Sequence, residues 1–140
     1  MRADVRSTEM KMREMAIVGL LLLVGCGPMM KPVERVASPS GTFVVAAIPN
    51  DSKIDPKKWR CIRLVLMDGT GSTLSAMQTG ASDGRKWAVG WMGTGEVVVL
   101  QSSDIGTQAF NVLSNELKQV ALTPEIEARS MQLKVAKYGR

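Results

Sequence analysis

The side chains able to do chemistry in this sequence are mainly carboxylates and hydroxyls, because the 140-residue chain contains no histidine. Histidine is the commonest general base and a frequent metal ligand, so its absence excludes the usual catalytic triads and most transition-metal sites. Asp83 follows a serine, and Asp104 follows a pair of serines. A nucleophilic serine in either place would need a carboxylate or a lysine as its base, and no spacing selects one.

Glycine-rich segments carry further oxygen donors. The segment 68–72, Asp-Gly-Thr-Gly-Ser, has donors at alternate positions, as at the start of a calcium loop, but it lacks the later glutamate that completes such a loop. The segments 69–71 and 93–95, both Gly-Thr-Gly, are too short for a phosphate-binding loop. The sequence therefore predicts turns at these positions, with no metal site and no cofactor.

Cys26 ends the most distinctive stretch of the chain. Lys11 and Arg13 precede the apolar run 15–24, which leads into Leu23-Val24-Gly25-Cys26. A basic flank, an apolar core of about 7–15 residues and a small residue at the cut are the parts of a secretory signal segment. The apolar run would cover about 15 Å as a helix, half of the hydrocarbon core of a bilayer, so a permanent transmembrane anchor is not expected.

The segment Leu23-Val24-Gly25-Cys26 resembles the lipobox of bacterial lipoproteins. The resemblance implies cleavage between Gly25 and Cys26, a diacylglyceryl group on the Cys26 thiol, and attachment of the mature chain to a membrane through this lipid. In enterobacterial lipoproteins, an aspartate directly after the lipidated cysteine marks retention in the inner membrane. This chain has Gly27 at that position. For a Gram-negative source, this implies the outer membrane, facing the periplasm. The alternative is a buried core helix with an incidental cysteine.

These features divide the chain into three parts. Residues 1–25 are interpreted as a signal peptide, with residues 1–9 upstream of the true start if translation begins at Met10 or Met12. Residues 26–39 are interpreted as a lipidated tether, because three prolines interrupt them and no apolar period is visible. Residues 40–140 then form one small domain.

The domain has the pattern of a mainly β protein. Apolar and β-branched runs alternate with clusters of Gly, Asp, Asn and Ser, which predicts a small antiparallel meander. Strands are expected at 42–48, 59–67, 73–78, 86–92, 96–102, 107–112 and 117–122. The segments 38–43, 87–91 and 96–100 loosely resemble parts of β-propeller blades. A blade-like sheet is therefore expected, since the chain is too short for a complete propeller.

Alternation along two of these strands predicts the core. Ile62, Leu64 and Leu66 fall on one face of their strand, and the opposite face is also largely apolar, which indicates a central strand. Trp87 and Trp91 share one face of a later strand. We expect both tryptophans to be buried beneath a C-terminal helix.

The segment 124–138 predicts that helix. Thr123 is a suitable N-cap and Pro124 suits the first helical position, with acidic residues in the first turn and lysines near the end. The face expected to cover the sheet is formed by Ala128, Met131, Val135 and Tyr138. A strand through residues 131–135 is the alternative.

The net charge of +5 is scattered along the chain. Only 57–60, Lys-Lys-Trp-Arg, and 85–87, Arg-Lys-Trp, form tight basic groups, and we interpret both as solvated flanks of turns. No nucleic-acid partner is expected. Cys61 is expected to be buried and unpaired, with a reactive thiol or an intermolecular disulfide as the alternative.

Together these observations favour a non-catalytic binding or structural module, anchored to the membrane at Cys26, with an envelope protein or the cell wall as partner. Asp83 and Asp104 are the candidate binding residues. The alternative is a histidine-free enzyme that uses the same carboxylates on an envelope substrate. A concave pocket with converging carboxylates would favour the enzyme, and a flat sheet with exposed aromatic residues would favour the binding module.

Overall fold

The computed structural model describes residues 33–139. Gly25 and Cys26, the residues of the predicted cleavage and lipidation, lie outside the described residues. The elements in chain order are β1 Glu34–Ala37, β2 Phe43–Pro49, β3 Cys61–Asp68, β4 Thr73–Ser82, β5 Trp87–Trp91, β6 Val97–Ser102, β7 Gly106–Leu113, β8 Glu116–Val120 and α1 Pro124–Tyr138.

The strands form two four-stranded antiparallel sheets. Strands β1, β2, β3 and β4 are neighbours in that order in sheet A, and β5, β6, β7 and β8 are neighbours in that order in sheet B. Each sheet is therefore a meander in which consecutive strands pair. The prediction of a mainly β, antiparallel fold with a C-terminal helix is confirmed.

The two sheets pack face to face around one apolar core. Ile62, Leu64 and Leu66 of β3 have no exposed surface, and Leu100 and Phe110 meet this cluster from sheet B. Fully burying one side chain of this kind contributes about 1.5–3 kcal/mol, which makes this layer the main source of stability. As predicted, β3 is a central strand, between β2 and β4.

Trp87 and Trp91 are buried in this core, at 6% and 2% exposure, as the sequence predicts. Their expected position beneath the helix is wrong. Both belong to the cluster between the sheets, and the Trp91 indole N–H donates to the Val36 carbonyl of β1 at 2.8 Å. Successive residues of a strand point to opposite faces, so the residues of β5 on the helix side are the small ones, Ala88 and Gly90.

The helix α1 covers the outer face of sheet B. Thr123 Oγ1 accepts a hydrogen bond from the Ile126 N–H at 3.3 Å, and Pro124 follows the cap, so the predicted bounds are confirmed and the strand alternative is wrong. Leu133 packs so closely on Gly90 that a Cβ there would lie 2.5 Å from Leu133 Cδ2. Within residues 33–139, no helix has the length and hydropathy needed to cross a bilayer.

The face of α1 that packs on the sheet differs from the predicted one. Ala128, Met131 and Val135 are exposed, the last two at 54% each. Ser130 is instead buried, and its hydroxyl lies 2.9 Å from the Thr107 hydroxyl of β7. Ile126 and Leu133 also pack on the sheet, against Val99 and Ala109. Of the predicted face, Tyr138 does contact the sheet, through the backbone of Trp87.

The strand β5 is an edge strand, and α1 occupies part of its free edge. Backbone groups of alternate residues in β5 point toward its partner strand β6. Those of Trp87 and Trp91 therefore point away from β6, toward the free edge. The Tyr138 hydroxyl accepts from the Trp87 N–H at 2.8 Å and donates to the Trp87 carbonyl at 2.7 Å. Arg129 Nε donates to the Trp91 carbonyl at 2.8 Å. Two residues of α1 thus satisfy backbone groups that a neighbouring strand would otherwise pair.

The strand β1 lies within the segment predicted to be a tether, so the tether prediction is wrong for residues 34–37. It pairs antiparallel with β2, from Glu34 opposite Ala47 to Ala37 opposite Val44. Its sequence, Glu-Arg-Val-Ala, is too short to show an apolar period. Pairing with a strand later in the chain is what stabilises it.

The strand β4 runs past its predicted end at residue 78, to Ser82. The pairing with β3 shifts register between Cys61 and Arg63, as in a β-bulge. At this irregularity the Thr79 hydroxyl donates to the Ile62 carbonyl at 2.6 Å. A side-chain hydrogen bond here replaces part of the backbone ladder.

Candidate functional site

The connections between strands divide between two ends of the sandwich. The strand β1 begins beside the last residues of β2, because Glu34 pairs with Ala47. The near end is defined here as the start of β1, the connections 50–60, 83–86 and 103–105, and the last turn of α1. The far end is defined as the turns 38–42, 69–72, 92–96 and 114–115.

Local contacts build the far end. Asp68 Oδ1 accepts hydrogen bonds from the backbone N–H groups of Thr70 and Ser72 at 2.9 and 3.0 Å. A hydrogen bond from the Thr70 hydroxyl, with these N–H groups, lowers the pKa of Asp68. Gly71 has a φ of +89°, which suits glycine. The predicted hairpin turn is confirmed, and Asp68 serves its own turn.

A longer loop, residues 50–60, dominates the near end. Its two ends are tied together, because the Arg60 N–H donates to the Asn50 carbonyl at 2.8 Å and the Asn50 side-chain amide donates to the Lys58 carbonyl at 3.0 Å. Arg60 has a φ of +62° although it is not glycine. This conformation costs about 1–2 kcal/mol and persists only where the surrounding structure enforces it.

Contacts with Asp83 help to hold Arg60 in this backbone conformation. Its carboxylate lies 2.6 Å from Arg60 Nη2, and its N–H donates to the Arg60 carbonyl at 2.9 Å. The Asp83 side chain is 5% exposed and the Arg60 side chain 36% exposed. Asp51 approaches the same guanidinium at 3.5 Å but is 67% exposed. One buried and one solvated carboxylate therefore share a single arginine.

Asp104 joins the same end from the turn between β6 and β7. One carboxylate oxygen accepts from the Ser82 N–H at 3.0 Å, and the other accepts from the Ser102 hydroxyl. Partial burial raises the pKa of Asp104, but these hydrogen bonds outweigh it and hold the pKa below its ordinary value. Since Ser82 adjoins Asp83, the structure brings both predicted aspartates to one end of the molecule.

A cavity of about 360 Å³ opens beside Asp83, and we call it the near-end cavity. It is lined by Glu34, Asp83, Gly84, Arg85, Lys86, Trp87, Lys137 and Tyr138. The lining therefore combines three cationic side chains, two carboxylates and two aromatic rings. Asp104 is not part of it.

Ion pairs organise the wall of this cavity. Lys137 Nζ lies 2.7 Å from Glu34 Oε2 and 3.5 Å from the centre of the Trp87 ring. Asp83 is paired with Arg60, so each carboxylate of the lining already has a cation. Among the described residues, no ion pair engages the other two cations of the lining. The near-end cavity therefore carries surplus positive charge.

Cys61 lies at the base of the 50–60 loop. Its thiol donates to the carbonyls of Lys57 at 3.5 Å and Gly80 at 3.7 Å. Burial raises the pKa of the Cys61 thiol, which keeps it in the unreactive protonated form at neutral pH. Within residues 33–139 this cysteine is buried and free, as predicted.

The chemistry available at this end is mainly that of binding. In the described part of the chain, no group of three or more His, Cys, Asp or Glu side chains is placed to hold a metal ion. The Ser102 hydroxyl contacts the Asp104 carboxylate, but Ser102 is only 1% exposed and a substrate would not reach it. The cations of the near-end cavity remain available for an anionic group.

Sequence reasoning identified Asp83 and Asp104 but not the residues that act with them. Glu34 falls in the predicted tether, and its partner Lys137 lies 103 residues further along the chain. The conformation of Arg60 has no local sequence signal either. The basic groups at 57–60 and 85–87 were the available clue, because both flank turns that meet at the near end.

Comparison with known proteins adds no relative, since no family model, curated protein or solved structure matches this chain.

Proposed function

We propose that the chain is a lipid-anchored envelope protein whose folded domain is a non-catalytic binding module. The resemblance of residues 23–26 to a lipobox supports an anchor at Cys26. Gly27 favours the outer membrane, facing the periplasm, in a Gram-negative source. The observation that carries the binding role is the near-end cavity, whose carboxylates are paired while its cations are in surplus.

The near-end cavity suits an anionic group carried by a larger partner. Arg85 and Lys86 offer charge-assisted hydrogen bonds, which are stronger than neutral ones. The Trp87 and Tyr138 rings offer apolar surface beside them. A volume of about 360 Å³ lies at the small end of the range for ligand pockets, enough for one side chain or one sugar. We propose an anionic group of an envelope protein or of the cell wall as the ligand.

Fatty-acid labelling tests the anchor. The wild-type chain should incorporate labelled palmitate and lose residues 1–25, whereas Cys26→Ser should incorporate none and persist as a precursor. Cys61→Ser is the matched control, because it removes a buried thiol and should label like the wild type. Unchanged labelling of Cys26→Ser would refute the anchor.

Site-specific photo-crosslinking in native membranes tests the binding role. A photoreactive residue at Gly84, in the near-end cavity, should crosslink to an envelope protein or to the cell wall, and one at Ser114, at the far end, should not. Lys86→Glu should abolish the crosslink, while Lys118→Glu, the same change on β8, should leave it intact. Equal crosslinking from both positions would contradict a binding site at the near end.

A second candidate, a histidine-free enzyme, would use the Ser102 hydroxyl and the Asp104 carboxylate, whose lowered pKa keeps it ionised. It would require a movement that exposes Ser102, which is buried in this structure. A fluorophosphonate probe, which reacts with nucleophilic serines, distinguishes the two functions. A binding module should remain unlabelled. Labelling that disappears in Ser102→Ala would establish the enzyme instead.

A further inference from the structure

The 50–60 loop exposes apolar side chains at its surface. Ile54 is 96% exposed and Trp59 is 46% exposed. Lys53 Nζ lies 5.0 Å from the centre of the Trp59 ring. An aliphatic and an aromatic residue flanked by lysines is the combination that the surface of an anionic bilayer favours. The loop therefore has the composition of a membrane-contacting segment.

Charge divides unequally between the two ends. All basic residues in the strand connections lie at the near end: Lys53, Lys57, Lys58, Arg60, Arg85 and Lys86. Of these, only Arg60 takes part in an ion pair within the described chain. The four aspartates of the same segments are held by Arg60 or by hydrogen bonds from backbone N–H groups. The far-end turns contain no lysine or arginine.

The ends also differ in sign, because Asp68 and Glu96 lie at or beside the far-end turns and Glu116, next to them, is already paired with Lys118. A positive near end and a negative far end give the domain a charge asymmetry along its strands. Such an asymmetry orients a protein with its positive end toward an anionic surface.

The place where the chain enters the domain sets which end lies nearest to a lipid at Cys26. The strand β1 begins at Glu34, eight residues after Cys26, and that many residues span at most about 28 Å. The longest strand, β4, has ten residues and is about 34 Å long at the usual rise per residue, so the far end lies about this distance beyond the near end. An anchor at Cys26 therefore holds the near end within about 28 Å of the bilayer.

We propose that the near end docks on the anionic lipid surface of the membrane that holds Cys26. Ile54 and Trp59 enter the interface, and the lysines of the 50–60 loop contact headgroup phosphates. This inference rests on the proposed lipid anchor, which supplies a high local concentration, so contacts that are weak alone suffice. Docking would also place the near-end cavity beside the headgroup layer.

Quenching of Trp59 fluorescence tests the docking. The processed full-length protein is reconstituted into vesicles of phosphatidylglycerol and phosphatidylethanolamine with bromine near the headgroup end of the acyl chains. Trp59 should be quenched, while Trp87 and Trp91, which are buried, should not be. Trp59→Phe should lose the quenching, and phosphatidylcholine vesicles should give little of it.

Two matched double variants test the role of charge. Lys53→Gln with Lys57→Gln should lose most of the quenching. Arg63→Gln with Lys118→Gln removes the same charge from exposed sheet positions and should retain it. Protection of the Cys61 thiol from maleimide shows that each variant is folded. Equal losses in both double variants would overturn the proposal.

The amount of bound fatty acid, measured in the same samples, separates this inference from the anchor on which it rests. A chain without fatty acid refutes the anchor. An acylated chain whose Trp59 is unquenched, or equally quenched in phosphatidylcholine, refutes the docking. Shielding of Trp59 in native membranes but not in lipid vesicles would point to a protein partner and overturn it as well.

Discussion

The near and far ends of the sandwich are held by different kinds of contact. At the far end, Asp68 binds only groups of its own turn. At the near end, Arg60 binds Asp83, and Lys137 binds Glu34 from the opposite end of the described chain. The far end is therefore closed mainly by contacts within its turns, with one longer contact from the Ser40 hydroxyl to the Glu96 carboxylate at 3.4 Å. The near end is closed mainly by ion pairs between distant elements.

This difference explains where function can be placed. A turn closed by its own residues needs few outside contacts and can consist of small polar residues and glycine. A region held by several distant elements can maintain a strained backbone, such as that of Arg60, together with a cavity of surplus charge. The predictions below test whether the two ends depend on their contacts in these different ways.

The largest effect is expected for Trp91→Ala, toward the far end of β5. The ring is 2% exposed, and its indole N–H satisfies the Val36 carbonyl. Truncation should cost about 3–5 kcal/mol, a large share of the stability of a small domain. Urea unfolding measures it, and a midpoint close to that of the wild type would show that Trp91 is not a core residue in solution.

Trp87→Ala is the counterpart toward the near end, and its cost should be smaller, about 2–3 kcal/mol. One side of this ring meets Lys137 and the near-end cavity, so water can fill part of the space that truncation leaves. The same variant should abolish the crosslink from position 84. A stability loss as large as that of Trp91→Ala, with the crosslink retained, would contradict this assignment.

Asp83→Asn should destabilise the domain by about 2 kcal/mol, below the 3–5 kcal/mol of a fully buried pair, because Arg60 is partly solvated. Asp51→Asn is the matched control on the same guanidinium, and its loss should not exceed about 0.5 kcal/mol, since Asp51 is exposed. Chemical denaturation of the two variants compares them. Equal losses would mean that burial does not distinguish the two carboxylates.

At the far end, Gly71→Ala should cost about 1 kcal/mol. The φ of +89° is unfavourable for alanine, while the space around the new Cβ is open, so the cost is purely conformational. Gly93→Ala, also in open space but without a positive φ, should be neutral or slightly stabilising. Thermal unfolding of both variants checks this, and a larger loss for Gly93→Ala would contradict it.

The smallest effect concerns pH. Since the pKa of Asp104 is lowered in the folded protein, its ionised form stabilises the fold above the unfolded pKa of about 4, and this contribution is lost as pH falls through the folded pKa. Asp104→Asn should remove that part of the acid dependence and cost at most about 1 kcal/mol at neutral pH. Melting curves between about pH 3 and 7 measure both effects.

Asp68→Asn is the far-end comparison for this titration, because the pKa of Asp68 is also lowered. The stability of this variant should therefore fall less steeply with decreasing pH than that of the wild type. An Asp104→Asn variant whose stability falls with acid as steeply as that of the wild type would show that this carboxylate does not contribute to near-end closure.

Elements with a local sequence signal were predictable. Thr123 and Pro124 mark the start of α1, and the alternation around Trp87 and Trp91 marks a buried strand face. The strand β1 was not predictable, because it is short and exists through pairing with β2. The packing face of α1 was missed because two faces of the helix carry apolar residues at helical spacing, Ile126 and Leu133 on one and Met131 and Val135 on the other, and contact with the sheet decides between them.

The candidate site was predictable only in part. Turn composition identified Asp83 and Asp104 but not their partners, Arg60 and the Ser82 N–H, which belong to other elements. Glu34 and Lys137 come together only after both sheets and the helix are in place, so no spacing in the sequence relates them. Sequence patterns report contacts within an element, and the near-end cavity is assembled between elements.

Arg129 and Tyr138 leave the ribosome after the eight strands of the described chain. Until α1 docks, the outward N–H and C=O groups of β5 can pair with a strand of another molecule, and such open edges promote aggregation. The domain is therefore prone to aggregate during folding until residues 129–138 have docked on β5. A chain arrested before Tyr138 would contain every strand of both sheets and still expose the unpaired edge of β5. Docking of α1 therefore protects the domain against pairing of β5 with a strand of another molecule.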